Sequence, residues 1–126
     1  IRKDGAERIT HIFGFRGNRD ASKRDEMIAA SAGQSTRMIL TTDDLNSVPE
    51  ETMRQEYADY QQKFTGMHKI DVMMDRTLAI QRAVTEAREG DWILVTGKGH
   101  EKYKTAYALP TASDKETVLY LKNSEK

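Results

Sequence analysis

The chain has 126 residues, 37% hydrophobic against 32% charged, and its 20 Lys plus Arg balance its 20 Asp plus Glu. A formal charge of zero lacks the basic excess of a general nucleic-acid or anionic-membrane binder, and the absence of cysteine excludes disulfides and thiolate metal sites. No apolar stretch approaches the ~20 residues of a spanning helix and no signal-peptide pattern opens the chain, so a soluble cytoplasmic protein is expected.

In chain order, residues 8–15, RITHIFGF, alternate and then run apolar, which predicts a first strand. The chain reaches that strand from a polar start without Met, and we expect it to be a piece cut from a longer protein. Gly14, Gly17 and the polar run FRGNRD follow; Ser22 is then the expected N-cap of a helix carrying Met27, Ile28, Ala29 and Ala32, closed by Gly33. Residues 37–42, RMILTT, predict a second short buried strand that ends in Asp43-Asp44-Leu45-Asn46. Ser47 as N-cap, Pro49 in the first turn and Glu50 at N3 form a capping-box start. The helix they open places Met53, Tyr57, Tyr60 and Phe64 on one apolar face, which reads as core packing, and Gly66 stops it.

Residues 70–74 predict a third strand. Asp75 then caps a helix with Ala79, Ile80, Ala83, Val84 and Ala87 inward, ended by Gly90. Residues 92–95, WILV, form an unbroken apolar run, as in a strand buried on both faces of a parallel sheet. The run stops at Thr96-Gly97-Lys98-Gly99-His100-Glu101, where two glycines permit a tight turn. Residues 101–109 suggest an extended return, and Ser113-Asp114-Lys115-Glu116 is a second capping box for a closing helix.

Strand and helix thus alternate four times, with one extra extended piece. The pattern predicts a single α/β domain over residues 1–126, a Rossmann-like three-layer sandwich. Its mostly parallel sheet would have about five or six strands, with helices on both faces. Such a domain buries roughly two-thirds of its unfolded surface.

In open parallel sheets ligands bind at the carboxyl ends of the strands. Three polar loops fall there: residues 16–24, 42–46 and 97–101. The first carries Arg16, Arg19, Lys23 and Arg24 near a helix start, where cations and free N–H groups suit a phosphate or carboxylate. The same residues also suit a solvated turn and a charged helix face. It is neither a Walker A loop nor a GxGxxG fingerprint. The adjacent Asp43 and Asp44, with Asn46, suit a cation or ammonium group, or simply a turn. The three histidines have no metal-ligand spacing, and no metal site is expected in this domain.

These loops resemble the C-terminal domain of the Mur ligases, of the UDP-N-acetylmuramoyl-tripeptide synthetase (MurE) type. The family's GDRDxGKR run corresponds to Gly17-Asn18-Arg19-Asp20-Ala21-Ser22-Lys23-Arg24. The family's GKGHE is intact at residues 97–101. An Asp-Arg-x-x-Ala-Ile stretch matches at residues 75–80, and an acidic helix start matches at residues 114–116. The resemblance implies the amino-acid-binding domain of a ligase that joins a diamino acid to UDP-MurNAc-L-Ala-D-Glu through an acyl phosphate. ATP and Mg²⁺ would be held mainly by a central domain outside this chain. That central domain would be its partner in a monomer, no catalytic residue would lie here, and the isolated domain would be inactive.

By the same resemblance, Arg19 holds the α-carboxylate of the amino acid, and Gly97 and Glu101 touch its far end. Asn18, Asp20, Lys23 and Arg24 lie near the nucleotide; Asn18 replaces the usual Asp. The selectivity loop is Asp43-Asp44-Leu45-Asn46, with Asn46 where diaminopimelate-adding enzymes have an arginine that grips the second carboxylate. Losing a charged hydrogen bond to a carboxylate costs about 1.5–3 kcal/mol, so a side chain ending in a lone ammonium, such as L-lysine, is expected. Two alternatives stay open at this point. One is a related ligase of the folylpolyglutamate or capsule-polymer type, against which the intact GKGHE argues; the other is a non-catalytic amino-acid-binding module.

Overall fold

A computed structural model describes residues 8–17, 23–33, 35–45, 48–64, 69–98, 101–103 and 106–124. Strands and helices alternate: β1 (Ile9–Phe13), α1 (Arg24–Ala32), β2 (Arg37–Leu40), α2 (Glu50–Lys63), β3 (Lys69–Val72), α3 (Arg76–Glu86), β4 (Trp92–Val95) and α4 (Asp114–Ser124). The described strands form one parallel sheet in the order β3-β2-β1-β4, with Phe13 opposite Leu40, Ile12 opposite Val95 and Arg37 opposite Lys69.

Period-two alternation along β1 and β2 divides the core into two layers. Phe13, Met38 and Leu40 point to one face and pack with Ile28 of α1 and Met53 and Tyr57 of α2. Ile12 and Ile39 point to the other and pack with Ala79, Ile80 and Ala83 of α3 and Leu121 of α4. The expected three-layer α/β sandwich is therefore present, with four strands among the described residues instead of five or six. The return over residues 101–109 contributes only an antiparallel bridge between Lys102 and Ser113.

β4 departs from its reading. The apolar run predicts burial on both faces, but β4 is an edge of the described sheet, and Trp92 is 44% exposed. The doubly buried strands are β1 and β2.

Helix starts follow local chemistry with three adjustments. Asp75 caps α3 as expected, its Oδ1 accepting from Leu78 N at 3.0 Å. Ser113 Oγ accepts from Glu116 N at 3.2 Å, but the Glu116 carboxylate reaches back to Ala112 N instead of closing on Ser113 itself. α2 begins with Pro49, in an extended conformation, as its N-cap, two residues after the expected Ser47. The ψ of Pro49, 141°, lies outside the helical range, so the regular helix starts at Glu50. α1 is preceded by Lys23 and not Ser22 as its capping residue. Ala87, expected inward, is the exposed C-cap of α3. Ser22, Ser47 and Gly66 lie outside the described residues.

The face of α2 is core as predicted, and it does more than fill space. Tyr57 is fully buried; its hydroxyl accepts from Phe15 N at 3.0 Å and donates to Thr41 O at 2.7 Å, tying together the carboxyl ends of β1 and β2. Burial pushes its phenol up to about 12. Both loops that leave those strands are thereby fixed from below.

Candidate functional site

The chain leaves β1 toward β2 on one side, while β4 flanks β1 on the other. Such a reversal of strand order opens a crevice at the carboxyl ends of β1 and β4. The loops after β1, β2 and β4 meet there. The first two pack backbone against backbone: Gly17 N donates to Asp44 O at 2.7 Å, and a Cβ on Gly17 would stand 1.7 Å from Leu45 O. Only glycine permits that approach. Gly97 turns the chain after β4 at φ +104°, and a Cβ there would sit 3.3 Å from Asp43 Oδ2.

At the centre lies a buried lysine. Lys98 Nζ is 2.8 Å from Asp43 Oδ1 and 2.7 Å from Asp44 Oδ1, and all three side chains are buried. Burial pulls the Lys98 ammonium toward a lower pKa, but hydrogen bonds to Asp43 and Asp44 outweigh it and hold the pKa above the ordinary lysine value. The acid pair, expected to take a cation from outside, thus receives one from within the chain. Asp43 also turns its Oδ1 to Asp44 N at 2.8 Å, which fixes the start of the loop after β2.

Arg16 stands on the rim. Its Nη2 donates to Glu101 Oε2 at 2.6 Å, and its Nε lies 3.5 Å from Asp43 Oδ2. Attraction to Asp43 first, and then to Glu101, raises the Arg16 pKa further. A continuous ionic chain therefore runs Glu101–Arg16–Asp43–Lys98–Asp44 across all three loops. It holds three carboxylates and two cations. Its inner part is dry and locked. Its outer pair is accessible, with Glu101 half exposed and Arg16 about a third exposed.

A second ionic knot supports the first. Arg76, at the start of α3, is fully buried. Its Nε and Nη2 donate to Asp114 Oδ1 and Oδ2, both at 2.8 Å, while Nη1 and Nη2 donate to Thr42 O and Thr96 O, both at 2.9 Å. One guanidinium thus joins the carboxyl ends of β2 and β4 to the start of α4. Tyr103 adds a third contact to Asp114, its hydroxyl donating to Oδ1 at 2.7 Å.

Of the residues singled out from the sequence, Asp43, Asp44, Gly97 and Glu101 converge in this cluster. Arg19, Asn46, Asn18 and Asp20 lie outside the described residues, as do Gly99 and His100. Arg24 is not available to a phosphate: it is buried, donating to Glu56 Oε2 at 2.6 Å and Arg16 O at 2.8 Å, with its guanidinium 5.3 Å from the Phe15 ring centre. Lys23, at the start of α1, is exposed. Lys98 and Arg76 are residues to which sequence reasoning gave no role at the site. Arg76 carried a signal, since it stands four and seven residues before the core positions Ile80 and Ala83, on the inward face of α3. Lys98 carried a signal of place, at the carboxyl end of β4 within the Gly97–Glu101 run, but none of its role, because its partners lie 54 and 55 residues away. Among the described residues no group of three or more His, Cys, Asp or Glu could hold a metal ion.

Fold and site together define a parallel α/β domain with an ionic cluster at a strand-order reversal. The family model for the glutamate ligase domain of the Mur ligases matches residues 1–99, and the chain belongs to that family. It is similar to the UDP-N-acetylmuramoyl-L-alanyl-D-glutamate–2,6-diaminopimelate ligase of Solibacter usitatus, 38% identical over 101 residues, covering 77% of this chain and 19% of that protein. It is also similar to the ligase of the same name in Aquifex aeolicus, 34% identical over 103 residues, covering 82% of this chain and 21% of that protein. A solved structure of a ligase of that name superposes with a TM-score of 0.75 at 28% identity, covering 95% of this chain and 25% of that one. The chain spans about a fifth of the length of the curated relatives it matches.

Proposed function

We propose that this chain is the amino-acid-binding domain of an ATP-dependent ligase of peptidoglycan precursor synthesis. The full-length protein would join a diamino acid to the D-glutamate of UDP-MurNAc-L-Ala-D-Glu. The observation that carries the reading is the ionic chain from Glu101 to Asp44, which gathers the three loops of the resemblance at one rim. Within the reading, Glu101 accepts from the far end of the amino acid, while Lys98 and Arg76 keep the loops in register. Positioning of this kind is much of what acyl transfer requires from a binding domain, because it turns an encounter into a near-unimolecular step.

ATP and Mg²⁺ belong mainly to the central domain in this proposal. Asp43 and Asp44 are already engaged by Lys98. Lys23 is the one described residue of the expected nucleotide-proximal set with an exposed side chain, and it fits a supporting contact to the nucleotide.

The diamino acid we propose is L-lysine. The relatives named above carry 2,6-diaminopimelate in their names. This chain, however, has Asn46 where the resemblance places the carboxylate-gripping arginine, and its rim offers the half-exposed Glu101 carboxylate to an ammonium. The test is turnover by the full-length protein of UDP-MurNAc-dipeptide with L-lysine, L-ornithine and meso-diaminopimelate, alongside a folate substrate with glutamate. Incorporation of a diamino acid into the muramyl dipeptide is the expected result. Activity on the folate substrate alone would refute the proposal.

A further inference from the structure

We propose that Arg16 is a resident counter-cation that occupies the ammonium subsite of the amino-acid pocket and sets its affinity for cationic side chains; the proposal rests on the amino-acid-binding reading above. The guanidinium stands between the half-exposed Glu101 carboxylate and the buried Asp43 carboxylate, 2.6 Å from Glu101 Oε2 and 3.5 Å from Asp43 Oδ2. An ammonium entering to use Glu101 competes with Arg16 for it.

Three features make that exchange feasible. Arg16 is partly solvent-exposed and its partner Glu101 is half exposed, so their pair is of the screened kind that contributes little to stability. The second contact, to Asp43, is longer than a hydrogen bond. The inner pair does not depend on Arg16 alone, because Asp43 and Asp44 both keep Lys98 as a partner, at 2.8 and 2.7 Å, and an entering ammonium replaces the charge that Arg16 withdraws. Arg16 can therefore swing outward while Asp43 and Asp44 each keep a cationic contact. The contrast with Lys98 is the core of the argument: one cation is buried and structural, the other is exposed and displaceable.

The test uses the full-length protein and its Arg16→Gln and Arg16→Lys variants, with L-lysine and its uncharged analogue L-norleucine. Arg16→Gln should lower KM for L-lysine about two- to fivefold, the size of an exposed ion pair. L-norleucine binding should not move, and Arg16→Lys should stay near the wild type. Calorimetric titration with L-lysine should give the same order of affinities. An L-lysine affinity that is unchanged or weaker in Arg16→Gln overturns the proposal, as does equal tightening toward L-norleucine. Weaker binding of meso-diaminopimelate alone would instead make Arg16 a ligand for a substrate carboxylate, and also overturns it. If the protein turns over no muramyl dipeptide, the ligase reading fails by itself, and calorimetry still decides the role of Arg16. Absence of L-lysine binding to both wild type and Arg16→Gln overturns it.

Discussion

The Arg76 guanidinium donates to both carboxylate oxygens of Asp114 at 2.8 Å, with neither side chain open to water. Removing one partner of such a pair strands the other as a buried charge, which costs far more than the pair contributes. Arg76→Met should lower the unfolding free energy by about 3–5 kcal/mol, read from urea denaturation of this chain. Thr42 O and Thr96 O lose a donor in the same variant. A loss under about 1 kcal/mol would mean the knot is solvated and not structural.

Lys98→Met should be costly for a different reason, because it leaves two neighbouring carboxylates buried together. The expected loss is about 3–5 kcal/mol at neutral pH. The pH dependence gives a sharper check. The Lys98 pKa is raised in the fold, so its contribution is full below the ordinary lysine value of 10.5 and fades as pH rises through the higher folded value. The stability gap between wild type and Lys98→Met should therefore be constant from pH 8 to about 10 and narrow above it. Tyr57, whose pKa is raised to about 12, weakens both proteins alike in that range. A gap that stays constant through alkaline pH would show that Lys98 is not held as a buried cation.

His11 supplies an acid-side prediction. Its Nδ1 is 2.7 Å from Ser31 Oγ and its Nε2 is 2.7 Å from Thr96 Oγ1, so it links α1 to the end of β4. Burial lowers its pKa below 6.5. A depressed pKa gives stability that is present above the unfolded value and is lost as pH falls through the folded one. Wild type should lose stability below pH 6.5 by a term that His11→Gln lacks. Parallel pH profiles for the two proteins would contradict this.

The parts of the fold that depend on short-range chemistry were legible in the sequence. Asp75 is read as a cap from one residue and its neighbours, and the Met53–Tyr57 face from spacing alone. β4 was misread because an apolar run looks the same in a central strand and at an edge; only strand order separates them. The site was legible in its acids and glycines but not in its cations. Arg16 and Arg24 sit in a basic run that suggested an external anion, yet each faces a carboxylate of its own chain, Glu101 and Glu56. Such pairings join positions 85 and 32 residues apart. Charge balance can hint that they exist, but packing chooses the partners.

The choice of side chain is the claim on which the functional account turns, and Asn46 tests it. The measurement is the ratio of kcat/KM for L-lysine to that for meso-diaminopimelate, in the full-length protein and its Asn46→Arg variant. The account predicts a ratio above one for the wild type, falling about tenfold to a hundredfold in the variant as a charged hydrogen bond to the second carboxylate is supplied. An unchanged ratio, or a wild type that already prefers meso-diaminopimelate, would contradict it.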